Sequence, residues 1–341
     1  MNRKMFGVLC LLLLSLMTKG CAGRPPETEQ PLRYEEELGD FSEYIVVGFS
    51  QVGSESDWRM ASTNSFKNTF TEEKGYYLLF EDAQQKQENQ LKSIRNFILQ
   101  EVDYIILDPI VETGWEAVLQ EARDAEIPVI LADRSVKVED EELYTCWVGS
   151  DFEKEGRMAG EWLASYLEKQ NRSDEEICIV TLQGTPGSTA QIGRTEGFAS
   201  VLEEHPNWEM LEYQSGDFTQ AKGQEVMERF LESYEQIDVV VSENDNMAFG
   251  AIDAIRGAGK TCGPDGDIIL LSFDASRAAL NAMLEGKINA DFECNPILAP
   301  KVEEVIQKLE ADETIEKRQY TEERYFDTSM NLKEILKERT Y

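Results

Sequence analysis

From Tyr44 onward, short apolar runs alternate with longer stretches of helical period. The runs IVVGFS (45–50), YYLLFED (76–82), YIILDP (104–109), IPVILAD (127–133) and YTCWVGS (144–150) predict strands, and the segments 58–74, 88–100 and 115–125 between them predict helices. The same alternation continues: ICIVTLQG (177–184), WEMLEYQSGD (208–217), DVVVSEND (238–245), DIILLSFD (267–274) and INADFEC (288–294) are separated by helical stretches at 153–170, 189–204, 221–234, 247–258 and 276–285. Apolar strands of this length, each followed by a helix, belong to parallel sheets covered on both faces. Two α/β units of about five strands each account for the length better than one very large sheet, with the first crossing between them at 148–151. A cleft between two lobes follows, and in open α/β sheets ligands sit beyond the carboxyl ends of the strands.

Those ends hold the distinctive polar residues. Asp133 and Arg134 close a strongly apolar strand, where a buried charge must be paired or bonded to a ligand. Asp274 ends DIILLSFD and Asn244 ends DVVVSEN in the same way. Any one of these acids or amides would serve equally well as the cap of the next helix; three strand ends agreeing favours a site. Glu55, Trp58 and Arg59 stand where the first strand enters its helix, Phe218 follows Gly216 and Asp217, and Arg194 lies on the helix after QGTPGS. A Trp on an amphipathic helix usually packs in a core and an Arg usually points to water, but beside these strand ends both fit a cleft. Carboxylates, an amide, guanidinium groups and aromatic rings on one rim are what a small polyhydroxylated ligand needs.

The N-terminus changes the compartment. Arg3 and Lys4 precede the apolar run 5–17, and Gly20 and Cys21 close it, which is the pattern of an export signal too short to span a bilayer. A Cys after a small residue there resembles a lipoprotein cleavage site, with Cys21 as the lipid anchor, although Thr18 and Lys19 depart from that pattern. Residues 22–43, with Pro25, Pro26 and Pro31 among many acids, predict a flexible stalk. A formal net charge of -33 argues against nucleic acid or anionic lipid as partners. Beyond the signal and Cys21, the cysteines are Cys146, Cys178, Cys262 and Cys294; with no CxxC pair and only His205, a Cys/His zinc site is not expected. Disulfides among the four remain open.

Four segments carry a family resemblance: VGFSQVGSESDWR (47–59), DAQQKQENQ (82–90), DPIVETGWEAVLQEARDAEIPVILADRS (108–135) and QSGDFTQAKGQEVME (214–228). The chain resembles the solute-binding proteins of sugar ABC transporters of the ribose/galactose type, in particular the galactofuranose-binding kind, from Tyr44 to about Pro300. The resemblance implies the periplasmic binding protein type I fold, two Rossmann-like lobes with parallel sheets joined by a three-stranded hinge. It implies a monosaccharide ligand (galactofuranose or a related furanose, pentose or fructose), an ABC transporter permease as partner, no catalysis, no cofactor and no metal. The membrane is reached through the N-terminal lipid alone, and the protein is expected to be a monomer. Ligand contacts carried over are Ser54, Glu55, Trp58, Arg59, Asp133, Arg134, Arg194, Phe218, Asn244, Asp274 and Glu293. SENDNM departs from the family at Glu243 and Asn246, and 286–300 matches less closely.

The expected division is residues 44–148 plus about 295–315 in the first lobe and 149–294 plus about 316–341 in the second, with hinge crossings near 148–151, 291–295 and 310–319. Three rival readings compete. A glycoside hydrolase would use Asp133 or Asp274 with Glu55 as a carboxylate pair, yet each candidate acid has a helix cap or an adjacent Arg that favours the ionised form, whereas a general acid needs a raised pKa. A transcriptional regulator is contradicted by the export signal, and a receptor feeding a sensor kinase would keep the fold and change only the output. QGTPGS lacks the GK[ST] ending of a phosphate loop.

Overall fold

The structure, a computed structural model, describes residues 43–341. The expected export signal, Cys21 and nearly all of the expected stalk lie outside the described residues. No helix among the described residues is long and apolar enough to cross a membrane.

The first lobe runs β1 (Ile45–Gln51), α1 (Asp57–Thr69), β2 (Tyr76–Asp82), α2 (Gln87–Leu99), β3 (Tyr104–Leu107), α3 (Glu116–Asp124), β4 (Val129–Ala132) and β5 (Cys146–Gly149). The second continues with α4 (Phe152–Lys169), β6 (Ile177–Gln183), α5 (Thr189–Leu202), β7 (Trp208–Ser215), α6 (Gln220–Ser233), β8 (Val239–Ser242), α7 (Asp245–Gly257), β9 (Ile269–Asp274), α8 (Arg277–Leu284) and β10 (Ala290–Glu293). The chain then returns to the first lobe as α9 (Ala299–Glu310) and β11 (Arg318–Tyr320), and crosses back as β12 (Tyr325–Asp327) and α10 (Leu332–Glu338).

Each sheet has six strands, ordered β11-β5-β4-β3-β1-β2 and β12-β10-β9-β8-β6-β7. All pairs are parallel except β12 against β10. The continuous apolar strands have a physical reason: both faces are buried, against different clusters. Ile105 and Leu107 of β3 pack with Val129 and Leu131 of β4 on one face, while Tyr104, Ile106, Ile130 and Ala132 pack under α9 on the other. In the second sheet Val239, Val241 and Leu271 face α4, and Val240 and Leu270 face α6 and α7. Each large side chain buried this way stabilises the fold by about 1.5–3 kcal/mol.

Two boundaries differ from expectation. Six strands form each sheet instead of five, because the returning segment adds an edge strand to both. Residues 316–320, expected in the second lobe, stay with the first: Arg318, Gln319 and Tyr320 pair with Trp147, Val148 and Gly149. The third crossing therefore lies between Tyr320 and Tyr325, later than 310–319.

Candidate functional site

The two lobes meet at the carboxyl ends of their strands around a tight cavity of about 20 Å³. Its wall includes Glu55, Trp58 and Arg59 from the start of α1, Asp133 and Arg134 after β4, Arg194 on α5, Phe218 before α6, Asn244 before α7 and Asp274 at the end of β9. Nine of the residues singled out in the sequence thus converge from both lobes.

Arg59 organises the first-lobe wall. Its Nε donates to Glu55 Oε1 at 3.0 Å, and one terminal nitrogen donates to Asp133 Oδ2 at 3.0 Å and to Asp108. Burial alone would lower its pKa, but the facing carboxylates of Asp108, Glu55 and Asp133 outweigh that and hold it above the ordinary arginine value. Arg134 donates to the carbonyl of Ile110 at 3.1 Å and lies over the Phe218 ring of the other lobe, 5.2 Å from its centroid. Burial, and then repulsion by Arg59, push the Arg134 pKa below its usual value.

Arg194 plays the corresponding part in the second lobe. It donates to Glu155 Oε2 at 2.8 Å and to the carbonyl of Glu243 at 2.5 Å, lies 3.5 Å from Asp274 Oδ1, and sits over the Phe152 and Phe273 rings. Burial pushes the carboxyls of Asp108, Glu155 and Asp274 well above the usual range, against the opposing pull of Arg59 on the first and of Arg194 on the other two. Glu55 Oε2 and Arg134 Nε are buried and make no hydrogen bond within the protein. Each such atom costs about 1–3 kcal/mol unless a ligand hydroxyl meets it.

Backbone geometry aims these groups. Asp133 (φ 60°), Phe218 (φ 60°) and Asp274 (φ 106°) occupy the left-handed region, which non-glycine residues adopt at a cost. Gly184 is required for a separate reason: a Cβ there would come within 1.8 Å of the Phe218 ring. The QGTPGS turn makes room for an aromatic wall.

Across the cleft the lobes touch directly. Trp58 Nε1 donates to the carbonyl of Cys294 at 2.7 Å, the Asp57 amide to Asn246 Oδ1 at 3.2 Å, the Ser135 amide to Thr189 Oγ1 at 3.1 Å and the Glu112 amide to the Gly187 carbonyl at 2.9 Å. Trp58, though carried by the first lobe, is buried in the second lobe's cluster. This is a closed arrangement.

Two expected contacts lie elsewhere. Ser54 is exposed and donates to Asp82 Oδ2 at 3.0 Å, because the turn before α1 directs it along the first lobe's surface. Glu293 accepts from Arg339 Nη1 at 2.7 Å and from the Tyr341 hydroxyl at 3.2 Å, so the C-terminal tail holds it and its neighbour Cys294 faces the cavity. Asn244 lines the wall while its Oδ1 accepts from the Met247 amide at 2.9 Å, so it is also the cap of α7.

Sequence reasoning missed Asp108, Glu155, Phe152 and Cys294. Asp108 ends YIILDP in the same way that Asp133 ends ILAD, a signal that was available; Glu155 sits on a polar helix turn with nothing to set it apart. Asn246, a departure from the family pattern, is a contact between lobes. The four described cysteines are free thiols.

A profile of the periplasmic binding protein domain matches residues 47–296. The chain belongs to the periplasmic binding protein family. The galactofuranose-binding protein YtfQ of Escherichia coli K12 is 43% identical over 274 residues, covering 80% of this binding protein and 84% of that one. A Mycobacterium smegmatis protein solved with β-D-fucofuranose is 43% identical, with TM-score 0.81 over 86% of this chain and 94% of its own. The arabinose ABC transporter binding protein of Shewanella sp. ANA-3, solved with α- and β-L-arabinofuranose, is 41% identical, with TM-score 0.80 over 86% and 95%. The family comprises sugar-binding transport proteins, not enzymes, and this binding protein shares their two-lobed α/β fold.

Proposed function

We propose that this binding protein captures one free monosaccharide in furanose form between its lobes, outside the cytoplasm, and delivers it to an ABC permease while tethered by a lipid on Cys21. The observation that carries the reading is the cavity wall: three guanidinium groups and several carboxyls from both lobes, with Trp58 and Phe218 beside them. A sugar hydroxyl donates to a carboxylate and accepts from a guanidinium at once, and its C–H face packs on an aromatic ring. The similarity to proteins solved with fucofuranose and arabinofuranose supports the furanose ring.

Transport follows from closure. Sugar binds one lobe, the other completes its hydrogen bonds, and the closed form is the species a permease engages. A wrong sugar leaves buried donors and acceptors unpaired, which is where selectivity arises. Calorimetric titration of the protein, freed of copurified sugar, with galactofuranose, fucofuranose, arabinose, fructose, ribose and glucose tests the reading. One-to-one binding at micromolar concentration or tighter to a furanose-forming sugar is expected; no binding to any of them by the folded protein refutes it.

A further inference from the structure

We propose that the hinge of this protein carries a site for one thiophilic divalent cation of the zinc class, formed by Glu155, Cys294 and Glu323. The ligand atoms of these residues lie within 4.8 Å of one another. They come from segments far apart in the chain: the first turn of α4, the second hinge crossing and the third. Motif spacing could not reveal such a set, and the expectation of a metal-free protein rested on the absence of a CxxC pair, the single His205 and the family resemblance.

The first crossing joins them. The Ser150 hydroxyl lies 3.3 Å from Cys294 Sγ and donates to Glu323 Oε1, which also accepts from the Thr321 hydroxyl at 2.8 Å and the Asn295 amide at 3.1 Å. Glu155 supplies the independent sign of a ligand. It is 1% exposed; Oε2 is taken by Arg194, and Oε1 has no hydrogen-bond partner. A buried carboxylate oxygen facing a thiol and a second carboxylate is placed to hold a cation.

Size and charge agree with one ion. Bonds of about 2.3 Å to sulfur and about 2.0–2.2 Å to oxygen at tetrahedral angles place ligand atoms about 3.3–3.7 Å apart. Side-chain rotations that draw these atoms in by about 1 Å complete the site. One thiolate with two carboxylates selects a borderline or soft cation; calcium and magnesium require six or more oxygens or tightly held water. Two carboxylates and a thiolate, less the adjacent Arg194, leave two negative charges for the dication to match. The cation takes the place of the thiol proton and of any proton on the two carboxyls on binding. Entry is provided by a cavity of about 210 Å³, with Glu155 and Glu323 in its wall beside the exposed Lys154 and Tyr320.

The ligands sit on two of the strands that must bend when the lobes move and on the helix that follows the other. Cys294 also lines the cleft cavity, and its carbonyl receives the Trp58 indole. An ion here favours the closed lobes, so cation and cleft ligand raise each other's affinity by the same factor. The coupling rests on the sugar reading; the cation site does not.

The test uses chelator-treated protein titrated with Zn²⁺ by calorimetry and with Co²⁺ by absorption, where a near-ultraviolet thiolate-to-metal band reports a cysteine ligand. One equivalent should bind, Cys294→Ser should abolish the band, and Glu323→Gln should weaken binding at least about tenfold while leaving sugar affinity in chelator unchanged. Absence of saturable one-to-one binding overturns the site, as does a band that survives Cys294→Ser, since Cys146, Cys178 or Cys262 would then be the ligand. For the coupling, the sugar Kd should fall at saturating Zn²⁺; an equal Kd with and without the ion refutes it. Intact Zn²⁺ binding by a protein that binds no sugar upholds the site and sinks the sugar reading alone.

Discussion

Replacing Thr189 by Val removes one hydrogen bond that exists only when the lobes are closed. Thr189 Oγ1 accepts the Ser135 amide across the cleft at 3.1 Å, and Thr189 does not line the cavity, so the change spares direct sugar contacts. Val has nearly the same shape, so little packing is lost. A hydrogen bond of this kind contributes about 0.5–1.5 kcal/mol, and both partners are half-buried, which places the effect in the lower part of that range. In the open form the amide and hydroxyl are both hydrated, so the penalty falls on closure alone. At about 1.4 kcal/mol per tenfold, the sugar Kd should rise about two- to fivefold, mainly through faster dissociation. Titration calorimetry and stopped-flow dissociation read the affinity, and thermal unfolding of the sugar-free protein provides the control. An unchanged Kd, or a loss of sugar-free stability as large as the loss of affinity, would refute the assignment of this bond to closure.

Other perturbations have distinct signatures. Arg194→Met leaves Glu155 and Asp274 buried without their guanidinium, and should cost about 3–5 kcal/mol of stability as well as sugar binding; a small change in denaturant midpoint would contradict the buried pairing. Asp133→Asn retains the fold but weakens a charge-assisted bond to Arg59, lowering sugar affinity by about tenfold or more, measured by calorimetry. Burial pushes the Glu243 carboxyl up to about 7 from 4.5. Because the folded protein holds that proton more tightly than the unfolded chain, the contribution of Glu243 is fully present below pH 4.5 and is lost as pH rises through about 7. Relative to Glu243→Gln, the parent should lose stability between pH 5 and 8 by up to about 3 kcal/mol; parallel pH profiles would exclude it. Cys21→Ala should move the protein from the membrane fraction to the soluble extracytoplasmic fraction, and continued membrane association would refute the lipid tether.

The two-lobed architecture was legible because strands buried on both faces have little choice but continuous apolar sequence, as in YIIL and VILA. The edge strands RQY and YFD were not, because each is only three residues long and carries no apolar run. That is why the third crossing was placed too early. Strand-end polar residues were legible for a similar reason: a charge adjoining a buried strand stands out, and Asp133, Arg134 and Asp274 all face the cavity. Glu293 satisfied the same pattern and lies elsewhere, since only the fold reveals that Arg339 and Tyr341 approach it. Glu155 illustrates the opposite failure. On a helix turn rich in charge it looks solvated, and its burial depends on Arg194, 39 residues away in the chain.

The central claim is that the cavity between the lobes closes on a furanose. Adding galactose or arabinose labelled with ¹³C at C1 to the protein, and recording the bound anomeric resonance, tests it directly, since furanose and pyranose rings differ at that carbon. One bound resonance in the furanose range, lost in Arg134→Ala, is the predicted result. A bound pyranose resonance, or a furanose resonance that survives Arg134→Ala unchanged, would contradict it.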